Sequence, residues 1–300
     1  MNVFDRRLLR RRRDRVAAGL ARHDFLFREI AERVADRLDD VRRGFPRALD
    51  LGCHHGALAQ ILGRRGNIEW LVQCDLSPAM ARAAADGGGS ALAADEEWLP
   101  FAPGCFDLIF SVLSLHWTND LPGALIQIRE TLKADGLFLG AMLGGQTLQE
   151  LRMALMQAEI VEEQGASPRV SPFADLRDIG ALLQRAGFAL PVVDRDIVTL
   201  TYPGALELMA ALRAMGETNA THARRRMPSR RGTLLRAAEI YQEMFGANRE
   251  GLPATFEILY MTAWAPHESQ PRALAPGSAV GRLADALDSE EFPAGDKTCP

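Results

Sequence analysis

The stretch that decides the fold of this chain is Arg47-Ala48-Leu49-Asp50-Leu51-Gly52-Cys53-His54-His55-Gly56. A short apolar run ends in an acid, Asp50, and the chain then turns through two glycines into a predicted helix. In a chain that alternates strands with helices, this order is typical of a cofactor-binding loop after the first strand. The alternative interpretation is a tight turn that binds nothing.

The spacing of the glycines distinguishes two classes of cofactor. A loop that binds a pyrophosphate needs the pattern Gly-x-Gly-x-x-Gly, since the backbone must approach a bulky dianion. Here His54 takes the middle glycine position and Ala57 the last, so that only Gly52 and Gly56 remain. An acid at position 50 also repels phosphate, whereas it suits an ammonium group. The loop therefore favours S-adenosylmethionine, which carries no phosphate, over NAD.

Strands and helices are predicted to alternate through the first half of the chain. The predicted strands lie near 47–51, 68–74, 90–94, 106–112 and 136–142, and the helices between them near 56–64, 77–85 and 121–133. The strands are rich in Val, Leu and Ile without alternation, which suits a sheet covered on both faces. The pattern predicts a doubly wound α/β fold.

The rhythm changes after residue 146. Thr147 and Glu150 are spaced as a capping box at the start of a long helix, and further elements are predicted at 175–186, 191–201 and 255–264. We predict four regions: a basic arm and helix at 1–44, a cofactor-binding core at 45–146, completing strands with a helical cap at 147–268, and a disordered tail at 269–300.

Composition sets limits on function. Hydrophobic residues make up 47% and charged residues 25%, which is ordinary for a globular protein, and the net charge of −4 argues against a general nucleic-acid binder. No apolar run reaches the roughly 18 residues that a membrane span needs. Arginines crowd residues 6–15 and 224–231, and each cluster indicates either a solvated face or contact with an acidic partner or a membrane surface.

Two acids follow the second and third predicted strands. Asp75 lies 23 residues after Gly52, close to the spacing at which a carboxylate accepts both ribose hydroxyls; its alternative role is to cap the helix at Ser77. Asp95 is placed to accept the adenine amino group, or else is a turn acid. The predicted cofactor-binding set is Asp50, Gly52, Cys53, His54, Gly56, Asp75, Leu76, Asp95, Glu96 and Ser111.

The segment after the fourth strand supplies the candidates for catalysis. His116 and Trp117 follow that strand, and the carboxyl ends of strands face the ligand crevice in such sheets. They are interpreted as catalytic residues or, alternatively, as a packed pair. Substrate contacts are predicted for Ser114, Asp120 and Glu217, where Asp120 has helix capping and Glu217 a surface charge as the alternative. No metal site is predicted, because neighbouring histidines at 54 and 55 lack a third ligand.

A family resemblance extends over nearly the whole chain. The matching segments are Val3-Phe4-Asp5-Arg6, Phe45 to Cys53, Ala94 to Phe101, Ser114 to Pro122, Gly140 to Gly145, Ser171-Pro172-Phe173, Met215 to Asn219, Pro253-Ala254-Thr255 and His267 to Gln270. They resemble the mitochondrial complex I assembly factor 5 family within the class I S-adenosylmethionine-dependent methyltransferases, with the malonyl-carrier-protein methyltransferases of biotin synthesis nearby. The resemblance implies a Rossmann-like, seven-stranded sheet with an antiparallel last strand and a helical cap.

The resemblance also implies a function. Members of this family are described as hydroxylating an arginine of a complex I subunit, so the implied partner is a subunit of the respiratory NADH dehydrogenase. The alternatives are an ordinary methyltransferase acting on a small molecule or acyl carrier, and a non-catalytic assembly chaperone. Because the family's start motif begins near Met1, we expect a bacterial relative working in the cytoplasm near the inner face of the membrane. The chain departs from the family loop at His54.

Overall fold

The apolar runs of the sequence form one sheet. In the computed structural model, which describes residues 2–246, 251–271, 278 and 281–290, its strands are β1 (Arg47–Leu51), β2 (Trp70–Asp75), β3 (Ser90–Ala93), β4 (Phe106–Val112), β5 (Leu132–Leu143), β6 (Ala189–Tyr202) and β7 (Leu252–Trp264). Their order is β3-β2-β1-β4-β5-β7-β6. The first five run parallel, and β7 is antiparallel to both of its neighbours.

Helices cover both faces of the sheet. They are α1 (Arg6–Val16), α2 (Phe25–Asp39), α3 (Ala57–Leu62), α4 (Pro78–Asp86), α5 (Leu121–Thr131), α6 (Gln149–Glu163), α7 (Leu176–Arg185), α8 (Ala205–Met215), α9 (Arg231–Phe245) and α10 (Leu283–Leu287). One apolar cluster joins Phe27 and Ile30 to Phe110, and a second joins Ile128 to Phe138. Burial on both sides explains why the strands do not alternate apolar with polar residues. The predicted doubly wound, seven-stranded Rossmann-like fold with a helical cap is confirmed.

Helix starts show where local pattern succeeds and where it fails. Ser77 caps α4 as predicted, since its hydroxyl accepts from the amide of Met80 at 3.1 Å. The capping box at residue 147 is wrong: α6 begins after Leu148, and no side chain caps it. The Thr147 hydroxyl instead donates to the carbonyl of Glu257, and the Glu150 carboxylate accepts from the amide of Thr255, both on β7. Long-range contacts with β7 replace the local cap.

The basic N-terminal segment is part of the folded unit. Its arginines form α1, which Asp5 caps by accepting from the amide of Leu8 at 3.0 Å. Phe4 pairs with Thr221 as an isolated bridge, and the amide of Asp5 donates to the carbonyl of Ala220 at 2.8 Å. Helix α1 is thereby fixed against the segment that follows α8.

Two compact units are distinguished, residues 1–266 and residues 267–300. The predicted disordered tail at 269–300 lies largely outside the described residues, apart from short pieces that include α10. Among the helices that the structure describes, none is long and apolar enough to cross a membrane.

Candidate cofactor and substrate site

The glycine loop is shaped by close backbone packing. Gly52 has φ +76°, and a Cβ there would lie 2.2 Å from the Cβ of Ser114, so only glycine fits. Gly56 has φ +85° and leads into α3, with Gln73 and the backbone of Ala84 too close for a side chain. The loop thus passes tightly between the end of β4 and α4, as a cofactor-binding turn would.

Asp75 is fully buried at the end of β2, next to the loop. Its carboxylate accepts from the amides of Ser77 at 2.8 Å and His54 at 3.1 Å. It also accepts from the guanidinium of Arg13 at 3.2 Å, which reaches it from α1. The predicted ribose acceptor is therefore in the predicted place, and the chain's own arginine contacts it.

Arg13 is a site residue that sequence reasoning missed. It is 1% exposed and also contacts Glu96 at 3.4 Å and the Ser114 hydroxyl at 3.2 Å. Although burial opposes the charge, Asp75 and Glu96 raise the pKa of Arg13, so it is a buried cation held by two buried acids. Its only signal in the sequence was membership of an arginine-rich run.

Arg6 completes the neutralisation of these acids. Its guanidinium donates to Asp95 at 2.6 Å, to Glu96, and to the carbonyl of Trp117 at 3.3 Å. Although burial works in the opposite direction, Arg6 and Arg13 lower the pKa of Glu96 to about 2. The structure therefore brings the three predicted acids at 75, 95 and 96 together, with α1 lying over them.

His54 fills the middle of the loop. It has φ +50°, its ring lies 4.4 Å from that of Phe27, and its Nε2 donates to the carbonyl of Val112 at 3.2 Å. Burial and the nearby Arg13 lower its pKa to about 3, so the ring is neutral at physiological pH. The space remaining beside the loop is a cavity of about 10 Å³, near the size of one water molecule.

Replacing His54 with glycine tests whether this side chain limits access to the loop. We expect His54→Gly to remove the strained φ and to enlarge the cavity, leaving affinity for S-adenosylmethionine equal or better. The Val112 carbonyl loses its donor, so the free energy of unfolding falls by about 1–3 kcal/mol. Isothermal calorimetry checks the affinity and urea denaturation the stability. A collapse of affinity would mean that His54 is itself a ligand contact.

Asp50 is a buried carboxylate without a partner. It is 1% exposed, and neither oxygen has a hydrogen bond among the described residues; the same holds for the hydroxyl of the neighbouring Ser111. Burial, together with the charge of Asp75, raises the pKa of Asp50 to about 8. An unsatisfied buried acceptor calls for an explanation, and a cationic ammonium group suits it.

The raised pKa of Asp50 makes stability depend on pH. Between about pH 4 and pH 8, Asp50 keeps its proton in the folded protein, whereas the unfolded chain releases it. The stability that this bound proton contributes is complete below about pH 4 and is lost as the pH rises through about 8. The free energy of unfolding falls by up to about 1.4 kcal/mol per pH unit. We expect Asp50→Asn to remove this slope, so that its advantage in free energy of unfolding grows from about pH 5 to pH 8. Urea denaturation at several pH values measures it; a pH-independent difference contradicts the assignment.

A second, larger cavity of about 510 Å³, within the range of ligand pockets, is lined in part by Leu8 and Arg12 of α1. His116, Trp117 and Glu217 meet in its wall. The Oε2 atom of Glu217 accepts from the indole of Trp117 at 2.7 Å and lies 3.4 Å from Nε2 of His116. Burial works to raise the pKa of Glu217, but His116 and Arg13 lower it overall, so the carboxylate is charged.

The remaining predicted residues lie elsewhere. Asp120 is exposed and caps α5 by accepting from the amide of Gly123 at 2.9 Å, so it is a helix cap rather than part of the cavity wall. Ser114 donates to Glu96 at 2.6 Å, so it lies beside the acids predicted to bind the cofactor and is not part of the cavity lining. Leu76 packs against the cluster around Trp117.

The thiols and possible metal ligands complete the inventory. Cys53 and Cys74 are buried and free, and burial raises the pKa of each thiol, which disfavours the reactive thiolate. Within the described ranges, no group of three His, Cys, Asp or Glu side chains is arranged to hold a metal ion.

Comparison with known proteins agrees with the fold. Residues 49–140 match the methyltransferase domain family. A solved S-adenosylmethionine-dependent methyltransferase of Thermotoga maritima superposes with a TM-score of 0.50 at 16% identity, over 86% of this chain and 99% of that one, which shows a shared fold. The chain is an enzyme of the S-adenosylmethionine-dependent methyltransferase superfamily.

Two relatives show which family within this superfamily the chain resembles. The mitochondrial arginine-hydroxylase NDUFAF5 of Danio rerio is 46% identical over 289 residues, 95% of this chain and 89% of the relative. A malonyl-[acyl-carrier protein] O-methyltransferase of Laribacter hongkongensis is 36% identical over 277 residues, 88% and 91% of the two chains. The chain belongs to the NDUFAF5 arginine-hydroxylase family, which confirms the resemblance found in the sequence.

Proposed function

We propose that this enzyme modifies an arginine side chain of a protein partner, by hydroxylation as its relatives' name states, during assembly of the respiratory NADH dehydrogenase. The working place is the cytoplasm, near the inner face of the membrane. The observation that carries the proposal is Glu217, a charged carboxylate in the wall of the large cavity. Its Oε1 atom has no hydrogen bond among the described residues, so it is free to accept from a guanidinium.

The residues beside the loop fit S-adenosylmethionine as the cofactor. The unpartnered carboxylate of Asp50 suits the ammonium of its methionine part, and Asp75 suits the ribose hydroxyls. The side chains of Arg13 and His54 occupy part of the space beside these acids. We therefore propose that the cofactor binds when α1 moves and takes Arg13 away from Asp75. When bound, this cofactor would supply an activated methyl group, which methyl transfer to the arginine would consume. Hydroxylation would instead take its oxygen atom from molecular oxygen, with two electrons and two protons from an external reductant, and would release water.

Three side chains in the cavity wall are proposed to bind and orient the substrate. Glu217 holds the guanidinium through charge-assisted hydrogen bonds. His116 is buried against it, and its Nδ1 lacks a partner among the described residues, so the imidazole is placed to hold a proton at the site. Trp117 anchors Glu217 through its indole N–H and forms an apolar wall, which orients the substrate chain.

Mass spectrometry of the respiratory subunits tests the proposal. In a strain that lacks this gene, an arginine that loses the mass of one oxygen atom identifies a hydroxylase, and one that loses a methylene group identifies a methyltransferase. No difference in any subunit, with assembly still impaired, would leave the chaperone alternative. Complementation with the wild-type gene serves as the positive control, and complementation with Glu217→Gln links the modification to this cavity.

A further inference from the structure

Six arginines surround the large cavity. They are Arg12, Arg169, Arg213, Arg224, Arg225 and Arg226. Three of them are neutralised by acids outside the cavity: Arg169 by Glu159 at 2.5 Å, Arg224 by Asp5 at 3.4 Å, and Arg225 by Glu163. These three ion pairs account for half of the positive charge at the rim.

The other three arginines have no carboxylate partner among the described residues. Arg12 donates to the carbonyls of Thr218 at 2.6 Å and Asn219 at 2.8 Å, one and two positions beyond Glu217. Arg213 and Arg226 are exposed at the rim, and neither guanidinium group has a described hydrogen bond. Since Glu217 is the only acid in the described lining, the cavity keeps an excess of positive charge at its edge.

The charges are arranged in a definite order from inside to outside. Glu217, the negative group, is largely buried against Trp117, and the unpaired cations lie further out. An isolated arginine side chain would meet repulsion at the rim before it reached Glu217. A small organic acid that entered fully would meet the opposite problem, since its carboxylate would face Glu217 at the inner end.

We propose that the partner segment of this enzyme carries acidic side chains on either side of its reactive arginine. The guanidinium reaches Glu217 while the flanking carboxylates pair with Arg213 and Arg226, and with Arg12 nearer the inside. This inference rests on the proposed function and adds the substrate class. Complementary charge of this kind gives specificity and faster association, and salt weakens it.

Fluorescence anisotropy with labelled peptides tests the inference. One peptide carries an arginine flanked by Asp and Glu, and its match carries Asn and Gln at the same positions. We expect the full-length enzyme to bind the acid-flanked peptide about tenfold more tightly at low salt. This factor corresponds to the combined binding free energy of two partly exposed ion pairs. The double variant Arg213→Gln, Arg226→Gln should lose this preference. Arg82→Gln, which changes an exposed arginine of α4 outside the cavity lining, should keep it.

Each outcome decides the inference without reference to catalysis. Equal binding of the two peptides, or no binding of either, overturns it. Displacement of the acid-flanked peptide by dodecanoate at similar concentration also overturns it, because the rim would then serve a small acyl anion. If mass spectrometry finds no modified arginine while the acid preference persists, the proposed function fails and the charge selection stands.

Discussion

Arg13→Ala is expected to bind S-adenosylmethionine about 10–100-fold more tightly than the wild-type enzyme. The buried guanidinium contacts Asp75 and Glu96, and hydrogen bonds between charged groups contribute roughly 1.5–3 kcal/mol each. A cofactor that uses Asp75 must first break these contacts, and the alanine variant has none to break. Without ligand the same variant leaves two buried acids short of a partner, so its free energy of unfolding should fall by roughly 3–5 kcal/mol.

Calorimetry and denaturation together test both halves of this expectation. Arg13→Gln, which keeps a neutral donor, should lie between alanine and wild type. Arg11→Ala is the matched control, because Arg11 is an exposed neighbour on the same helix and contacts none of these acids. Weaker binding by Arg13→Ala would show that Arg13 contacts the cofactor directly, and our view of α1 as a competitor would be wrong.

Glu217→Gln is expected to reduce arginine modification by at least about 100-fold, since truncating one member of a buried charge pair costs roughly 2–5 kcal/mol or more. The glutamine carbonyl still accepts from Trp117, so the wall of the cavity keeps its shape. Affinity for S-adenosylmethionine should stay within a factor of a few. The readout is the modified fraction of the partner's arginine at fixed enzyme concentration.

Two further variants show whether the loss of arginine modification in Glu217→Gln comes from the cavity. Glu207→Gln removes an exposed carboxylate of α8 outside the cavity lining and should leave modification unchanged. Trp117→Phe keeps most of the buried volume but removes the N–H that orients Glu217, so an intermediate loss is expected. Full complementation by both Glu217→Gln and Trp117→Phe would place the substrate cleft elsewhere.

The sequence alone was sufficient to predict the fold and the position of the glycine loop. An apolar run followed by Gly52 and Gly56 permits few other structures, because each glycine lies where a side chain would collide with a neighbour. The position of Asp75 was also predictable, because the end of β2 lies beside the end of β1 in any parallel pair.

Residues placed by long-range packing were harder to predict. Arg13 is one of many arginines in α1, and only the tertiary structure separates it from exposed Arg11. Glu217 was predicted as a substrate contact with a surface charge as the alternative, and it lies in the cavity wall because residues 216–221 pack against α1. Asp120 was predicted as a substrate contact with helix capping as the alternative, and in the structure it caps α5.

Adjacent residues of α1 face two different candidate sites. Arg13 contacts the acids beside the glycine loop, whereas Arg12 binds the carbonyls that follow Glu217. Any movement of this one helix would therefore change both sites at once. If the proposed cofactor and partner segment both bind as argued above, thermodynamic linkage requires any effect of the cofactor on affinity for the segment to equal the effect of the segment on affinity for the cofactor. Whichever ligand displaced α1 first would carry the free-energy cost of that movement, and the second ligand would bind more tightly by the same amount.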